Sequence, residues 1–252
     1  MGFERTETHM AYQAIFKRYE LKYMLTLEQK KRLLEAMEPY MALDQYGRTT
    51  IRNIYFDTDT YRLIRRSIEK PVYKEKLRIR SYKKADSDSP VFVELKKKYD
   101  SVVYKRRLSL PEHTAMEWIC GPKDFETSLA AGATDTQIAA EIDYFKDFYE
   151  TLHPTVFLSY EREAYYTRDG SDFRVTFDDN ILCRQDDLTL TADPGGTPIL
   201  EDGKVLMEIK TAGGIPLWMT NVLTKEQIYK TAFSKYGTAY QKIIYPNQGG
   251  HK

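Results

Sequence analysis

Apolar and charged positions alternate along much of this chain. Lys76, Arg78 and Arg80 are separated by Leu77 and Ile79, and Phe92, Glu94 and Lys96 by Val93 and Leu95. Lys105 and Arg107 share a parity with Val103 and Ser109. Side chains at i and i+2 lie on one face of a strand. Tyr73 to Leu110 therefore reads as three neighbouring antiparallel strands, each with a basic face and an apolar face. The same alternation recurs far away in sequence. Phe16–Leu25 sets Arg18, Glu20 and Lys22 against Tyr19, Leu21 and Tyr23. Phe173–Asp178 sets Arg174, Thr176 and Asp178 against Val175 and Phe177, and Lys204–Thr211 sets Leu206, Glu208 and Lys210 against Val205, Met207 and Ile209. Thr50–Phe56 and Thr155–Tyr166 read as further strands, and Leu182–Thr191 as a weaker one before a DPGGTP turn.

Helical spacing appears between these runs. Thr26 and Gln29 form a capping box ahead of a helix that ends near Pro39. Asp57 and Thr58 are cap residues for a helix turning Tyr61, Ile64 and Ile68 inward. Ile138, Ile142, Phe145 and Tyr149 make the stripe of an amphipathic helix. The segment from Ile215 to Leu223 reads as one tail helix, and the segment from Thr224 to Ile244 as a second.

Charge changes this picture. Tyr73 to Leu110 holds twelve Lys/Arg against five Asp/Glu, in a chain whose net charge is only +1. Like charges on adjacent strands repel unless something anionic lies among them. Pro111 to Pro154 is the reverse, with nine acidic residues and two lysines, and suits a helical layer outside the sheet. The fold class expected is α+β: an eight-stranded antiparallel β-barrel tunnel with a charged interior, flanked by helices over its apolar outer face. Its charged face would carry Arg18, Glu20, Lys22, Arg78, Arg80, Glu94, Lys96, Lys105, Arg107, Arg162, Arg174, Asp178, Glu208 and Lys210. Such an interior must hold water and a polyanion, because unpaired buried charge is costly. Arginine forks and lysine point charges suit phosphate. The sparse carboxylates Glu20, Glu94 and Glu208 suit Mg²⁺ or Mn²⁺ shared with substrate phosphates.

Other classes fall away. Cys120 and Cys183 are isolated, so neither a disulfide framework nor a zinc site is expected. His9, His113, His153 and His251 are scattered and read as surface or structural. Near-neutral charge and acidic helices argue against nucleic acid. With no membrane-span-length apolar run and no signal-peptide or myristoylation pattern, a cytoplasmic location is expected. One domain over residues 12–246 is expected, with residues 1–11 and 247–252 disordered.

Six motifs occur in order: ExK at Glu20–Lys22, IYFDT at Ile54–Thr58, RIR at Arg78–Arg80, VELK at Val93–Lys96, MEIK at Met207–Lys210 and FSKY at Phe233–Tyr236. In this the chain resembles the VTC domain, the polyphosphate-polymerase branch of the triphosphate tunnel metalloenzymes and CYTH-like proteins. The resemblance covers roughly Phe16 to Tyr245. It implies transfer of the γ-phosphate of ATP, or another nucleoside triphosphate, to inorganic polyphosphate or pyrophosphate in a basic tunnel with Mn²⁺ or Mg²⁺. Lys22, Arg78, Arg80, Lys96 and Glu208 would be the catalytic set. Lys22, Arg78, Arg80, Lys96, Lys105, Arg107, Arg162, Arg174, Lys210 and Lys235 would bind phosphates, and Glu208 with Glu20 and Glu94 would hold metal. Arg18 stands where relatives often carry a further acid, which disfavours a two-metal hydrolytic arrangement. Ala232 stands where eukaryotic polymerases carry a second lysine. No SPX or transmembrane domain is encoded, so coupling to translocation would need a membrane-protein partner. A tripolyphosphatase or nucleoside triphosphatase in the same tunnel, and a non-catalytic polyphosphate-binding module, are the alternatives.

Overall fold

A computed structural model describes residues 19–100, 102–121 and 136–248. Arg18, the expected disordered N-terminus and residues 249–252 lie outside that set. The chain order is β1 (Tyr19–Thr26), α1 (Leu27–Met37), β2 (Met41–Leu43), β3 (Thr49–Asp57), α2 (Arg62–Ile68), β4 (Tyr73–Tyr82), β5 (Pro90–Tyr99), β6 (Val102–Pro111) and α3 (Glu112–Cys120). Then follow α4 (Thr136–Phe148), β7 (His153–Thr167), β8 (Phe173–Arg184), β9 (Thr197–Pro198), β10 (Lys204–Thr211), α5 (Leu217–Lys225), β11 (Lys230–Thr231), α6 (Lys235–Ala239), a π-turn (Tyr240–Ile244) and α7 (Tyr245–Gln248). All strands belong to one antiparallel sheet, whose path runs β11-β1-β10-β8-β7-β3-β4-β5-β6, with β2 beside β7 and β9 beside β8.

The eight long strands match eight of the nine strand segments expected, all but Leu182–Thr191, but they do not close into a barrel. Among the described residues no ladder joins β6 to β1. The reason is local: β11 takes the free edge of β1, pairing Thr231 with Lys22 and Lys230 with Tyr23. The sheet nevertheless curls. Lys96 on β5 reaches Glu20 on β1 at 3.1 Å, although six strand steps separate them. In a flat sheet that is about 29 Å. The charged face is therefore concave.

The convex face is apolar and covered by helices, as the pattern requires. Leu33 and Met37 of α1 and Met219 and Leu223 of α5 pack on Tyr23, Val175, Met207 and Ile209. Ala115 and Trp118 of α3 and Ile142 and Phe145 of α4 pack on Leu77, Val93 and Leu108. Thr26 caps α1 in the expected box, with Oγ1 accepting from the Gln29 amide at 3.1 Å and Gln29 Oε1 from the Thr26 amide at 2.9 Å.

Three expectations change. Leu182–Thr191 is not a separate strand. β8 runs on to Arg184, whose guanidinium then donates to the carbonyls of Asp186, Asp187, Asp193 and Gly195 and shapes the following loop. Gly196 in that loop has φ +126° with the Cys183 carbonyl against it, leaving no room for a Cβ. The second tail helix begins only at Lys235, capped by Ser234 Oγ from the Gly237 amide, because Lys230–Thr231 is drawn into the sheet. Finally, the concave face is not charged throughout. Toward one end Ile51, Val156, Leu158, Ile181 and Leu206 pack on Ile64, Tyr236, Ala239, Tyr240 and Ile244, so the C-terminal elements plug that end.

Asp57 anchors the plug. Its buried carboxylate accepts from the amides of Thr58 (2.9 Å), Leu63 (2.8 Å) and Ile64 (2.9 Å), which fixes the start of α2, and from the Tyr236 hydroxyl at 3.0 Å. The IYFDT and FSKY motifs thus meet through one side chain. Asp57→Ala removes the acceptor of the Thr58, Leu63 and Ile64 amides and one of the two partners of the Tyr236 hydroxyl, the other being Thr155 Oγ1 at 3.1 Å, and is expected to cost about 2–3 kcal/mol. Tyr236→Phe should cost about 1 kcal/mol; urea denaturation of both variants checks the ordering.

Candidate functional site

The register places the candidate residues in rows across the concave face. Asn53, Arg80 and Phe92 stand opposite one another, then Tyr55, Arg78, Glu94 and Arg107, then Lys76, Lys96 and Lys105. On the facing wall Lys22, Glu208 and Thr176 form one row, Glu20, Lys210, Arg174 and Tyr166 a second, and Leu206, Asp178 and Arg162 a third. All twelve of the described expected phosphate and metal residues on strands thus share one face. Lys235, from α6, joins them.

Three buried carboxylates hold the cations in place. Glu94, 1% exposed, accepts from Arg78 Nε at 2.8 Å and Nη2 at 2.6 Å, from Arg107 Nε at 2.7 Å, and pairs with Lys105 at 2.7 Å. Asp178, fully buried, takes a two-pronged contact from Arg162 at 2.6 and 2.7 Å and a third from Lys235 at 2.5 Å. Glu208 pairs with Lys210 at 3.1 Å and faces Lys22 across the β1–β10 ladder. Burial alone would raise these carboxyls. The positive field outweighs it: Arg78, Arg80 and Lys105 hold Glu94 far below the ordinary carboxylate range, and Arg162 and Lys235 hold Asp178 at about 2. Glu208 is also held low, chiefly by Lys210, Lys22 and Lys235.

Aromatic and amide groups take further guanidinium protons. Tyr55 OH accepts from Arg78 at 2.9 Å, Asn53 Oδ1 and Tyr160 OH from Arg80 at 2.9 and 3.1 Å, and Tyr82 OH from Arg107 at 3.0 Å. Lys235 Nζ lies 4.4 Å from the Tyr160 ring centre, and Arg174 stacks over Tyr166 at 4.3 Å with its buried Nε unpartnered. These tyrosines were not in the candidate set. Their spacing gives no signal apart from core aromatics, although Tyr55 shares a parity with Asn53. Lys76 also lies outside that set, yet it shares a parity with Arg78 and Arg80. Its Nζ donates to Ser234 Oγ at 3.3 Å, while Lys22 Nζ donates to the Phe233 carbonyl at 2.9 Å. The FSKY segment thus crosses between the two walls.

Glu94 does not fit a metal, because both oxygens are committed to arginines and a lysine. Glu208 and Glu20 fit better. They are diagonal neighbours across the β1–β10 ladder; burial and the proximity of Glu208 oppose ionisation of Glu20, but Lys96 and Lys210 outweigh them and hold it below the ordinary carboxylate value. Thr176 Oγ1, directly across from Glu208, is buried without a partner among the described residues. Among the described residues no group of three His, Cys, Asp or Glu forms a cage. Two carboxylates suit Mg²⁺ or Mn²⁺ only when phosphate oxygens and water complete the shell.

The whole-chain comparisons agree with this architecture. The VTC domain family matches residues 17–244. This chain belongs to the VTC domain family. A search of curated proteins returns no match. Among solved structures the VTC chain is similar to a proposed adenylate cyclase of Bacillus halodurans, with a TM-score of 0.52 and 15% identity over 89% of this chain and 96% of that one. It is also similar to the proposed adenylyl cyclase HpAC1 of Hippeastrum, reported to have a dominant triphosphatase activity, with a TM-score of 0.51 and 14% identity over 88% of this chain and 94% of that one. At such identity these likenesses establish the CYTH-like, triphosphate-tunnel fold and nothing finer. No helix among the described residues is long and apolar enough to cross a membrane.

Two outcomes follow from the charges. Glu94→Ala leaves three cations facing one another and should destabilise the fold by about 3 kcal/mol, the low end for a broken buried pair because Lys105 and Arg107 stay partly in water. Added tripolyphosphate should restore part of that loss in a denaturation assay, since an anion can replace the carboxylate. The second outcome concerns pH. Burial, then Lys22, Lys74 and Lys96, push Lys76 down to about 8. Tyr55, although burial raises it, is drawn down to about 8 by Arg78, Arg80 and Lys76. As pH rises through this range Lys76 loses a positive charge and Tyr55 gains a negative one. Tripolyphosphate affinity should therefore fall by about tenfold from about pH 7 to 9, a charge-assisted contact being worth roughly 1.5–3 kcal/mol; Lys76→Met with Tyr55→Phe should flatten the titration measured by calorimetry.

Proposed function

We propose that this VTC domain is a metal-dependent phosphotransferase that moves the γ-phosphate of ATP onto the end of an inorganic polyphosphate chain. The observation that carries the reading is the excess of cations on one concave face. Lys22, Lys76, Arg78, Arg80, Lys96, Lys105, Arg107, Arg162, Arg174, Lys210 and Lys235 share it with four carboxylates, Glu20, Glu94, Asp178 and Glu208. Linear phosphates match that surplus in charge and in the geometry arginine forks prefer.

In this reading Arg78, Arg107 and Arg162, already oriented by Glu94 and Asp178, neutralise the triphosphate, and Lys22, Lys76 and Lys96 turn from their resting partners to phosphate oxygens. Glu208 and Glu20 would hold Mg²⁺ or Mn²⁺, which supplies further charge neutralisation to the phosphates. Phosphoryl transfer passes through a loose, highly charged transition state, so alignment and fixed positive charge do most of the work. A phosphate acceptor is already anionic and needs no general base. Accordingly, the two described histidines serve elsewhere: His113 lies against the Ser87 carbonyl and His153 against Asp59.

The triphosphatase activity of the Hippeastrum neighbour favours a second reading, hydrolysis in the same site, with Glu20 placed to orient water. Incubation with ATP, Mn²⁺ and a trace of pyrophosphate separates the two. A ladder of polyphosphate with ADP is expected; free phosphate without chains moves the assignment to a hydrolase, and no product of either kind overturns both. Glu208→Ala should lower turnover by about a hundredfold or more while tripolyphosphate binding persists. An active Glu208→Ala protein would falsify the metal role.

A further inference from the structure

The apolar cover of the convex face is broken at Arg52. This residue of β3 stands directly opposite Ser81 of β4 and Ser159 of β7, at the parity of Ile54 and Phe157, which pack in the convex core. All three are buried, Arg52 to 4%, Ser81 to 2% and Ser159 to 1% exposure. Leu190, from the loop after β8, reaches Arg52: its carbonyl accepts from Arg52 Nη1 at 3.2 Å and from the Ala85 amide at 3.3 Å. Ser81 Oγ donates to the Lys83 carbonyl at 3.0 Å. Arg52 Nε and Ser159 Oγ, by contrast, are buried without a partner among the described residues. Opposed Cβ atoms in an antiparallel pair are about 4.5–5.5 Å apart, so one atom-sized ligand can reach both donors. The guanidinium also lacks a counter-ion, since no carboxylate among the described residues lies within ion-pair distance of it. The acids whose field reaches it are engaged elsewhere: Asp193 pairs with Lys84 at 2.8 Å, and Glu161 accepts from Thr50 Oγ1 at 2.8 Å. Burial depresses the guanidinium, Asp193 and Glu161 do not offset it, and Arg184 adds a field of the same sign. A buried unpaired charge and buried unmet donors are both costly, and one anion answers both.

We propose that Arg52 and Ser159 hold one small monovalent anion, of the size of chloride or bromide, between the sheet and the loop that follows β8. The donor set fits that class. A guanidinium Nε–H and a hydroxyl give two hydrogen bonds to one centre. A phosphate or sulfate group would bring more acceptor oxygens than these two donors can meet beside the fully buried Leu190. The anion neutralises Arg52 where the sheet offers no acid, and so fastens the Leu190 end of the loop to the β3–β7 pair. The site is on the opposite face from the concave cations and stands whether or not they take phosphates.

The test compares the full chain in sodium bromide and in sodium gluconate at constant ionic strength. Wild type should melt about 2–4 °C higher once bromide reaches about five times its dissociation constant. Ser159→Ala and Arg52→Met each remove one donor and should lose most of that rise. In gluconate Ser159→Ala should melt at or above wild type, because it deletes an unmet hydroxyl. A rise of equal size in wild type and both variants comes from the concave cations and overturns the site. So does a Ser159→Ala variant destabilised equally in both salts, the mark of a bound water. Should Arg52→Met fail to fold, bromide diffused into wild-type crystals decides the matter. An anomalous peak between Arg52 Nε and Ser159 Oγ is expected, and no peak there overturns the proposal.

Discussion

Repulsion between like charges on a curved sheet is the constraint on which the rest of this molecule depends. The concave face has to keep eleven Lys and Arg side chains close together. Glu94 and Asp178 solve this by each holding two or more cations from different elements of the fold. They are buried at the base of the wall, so they orient the guanidinium groups without covering the outward edges. Removing water from such carboxylates is unfavourable, and only several charge-assisted hydrogen bonds per carboxylate make the arrangement stable. Sites of this kind are stiff, because Arg78 and Arg107 are each fixed by Glu94 on one side and a tyrosine hydroxyl on the other.

The C-terminal segment plays the complementary role. Among the described residues Lys22 and Lys76 have no carboxylate held against them at hydrogen-bond distance; a backbone carbonyl and a serine hydroxyl take their place. Neutral partners bind an ammonium more weakly than a carboxylate does. The same concave face therefore combines cations that are fixed by acids with cations held loosely by the FSKY segment, and the loosely held ones are free to exchange partners at small energetic cost.

Much of this was legible in the sequence because strand periodicity is local. Parity alone put Arg78 beside Arg80 and Glu208 beside Lys210, and the Thr26–Gln29 box announced α1. Family resemblance supplied the order of motifs. What parity cannot supply is the partner across a ladder. That Glu94 faces Arg107 on one side and Arg78 on the other depends on register, and register turns a presumed metal ligand into an organiser of arginines. Closure was equally out of reach, since it depends on whether Lys230–Thr231 or β6 occupies the edge of β1. Asp57 shows the opposite case: its cap role was readable from spacing, whereas its bond to Tyr236 joins positions 179 residues apart.

The unpaired edge of the sheet sets the topology available to a polymer. A fully laddered cylinder admits a long chain only by its end, so the chain must be threaded and later withdrawn along its whole length. Here the two margins of the wall meet, among the described residues, through the half-exposed contact of Lys96 with Glu20, worth about 0–1 kcal/mol, and through the FSKY segment, which takes Lys22 from one wall and Lys76 from the other. The wall is a split ring and not a closed one. A seam closed by side-chain contacts of this kind parts at smaller cost than a ladder of backbone hydrogen bonds.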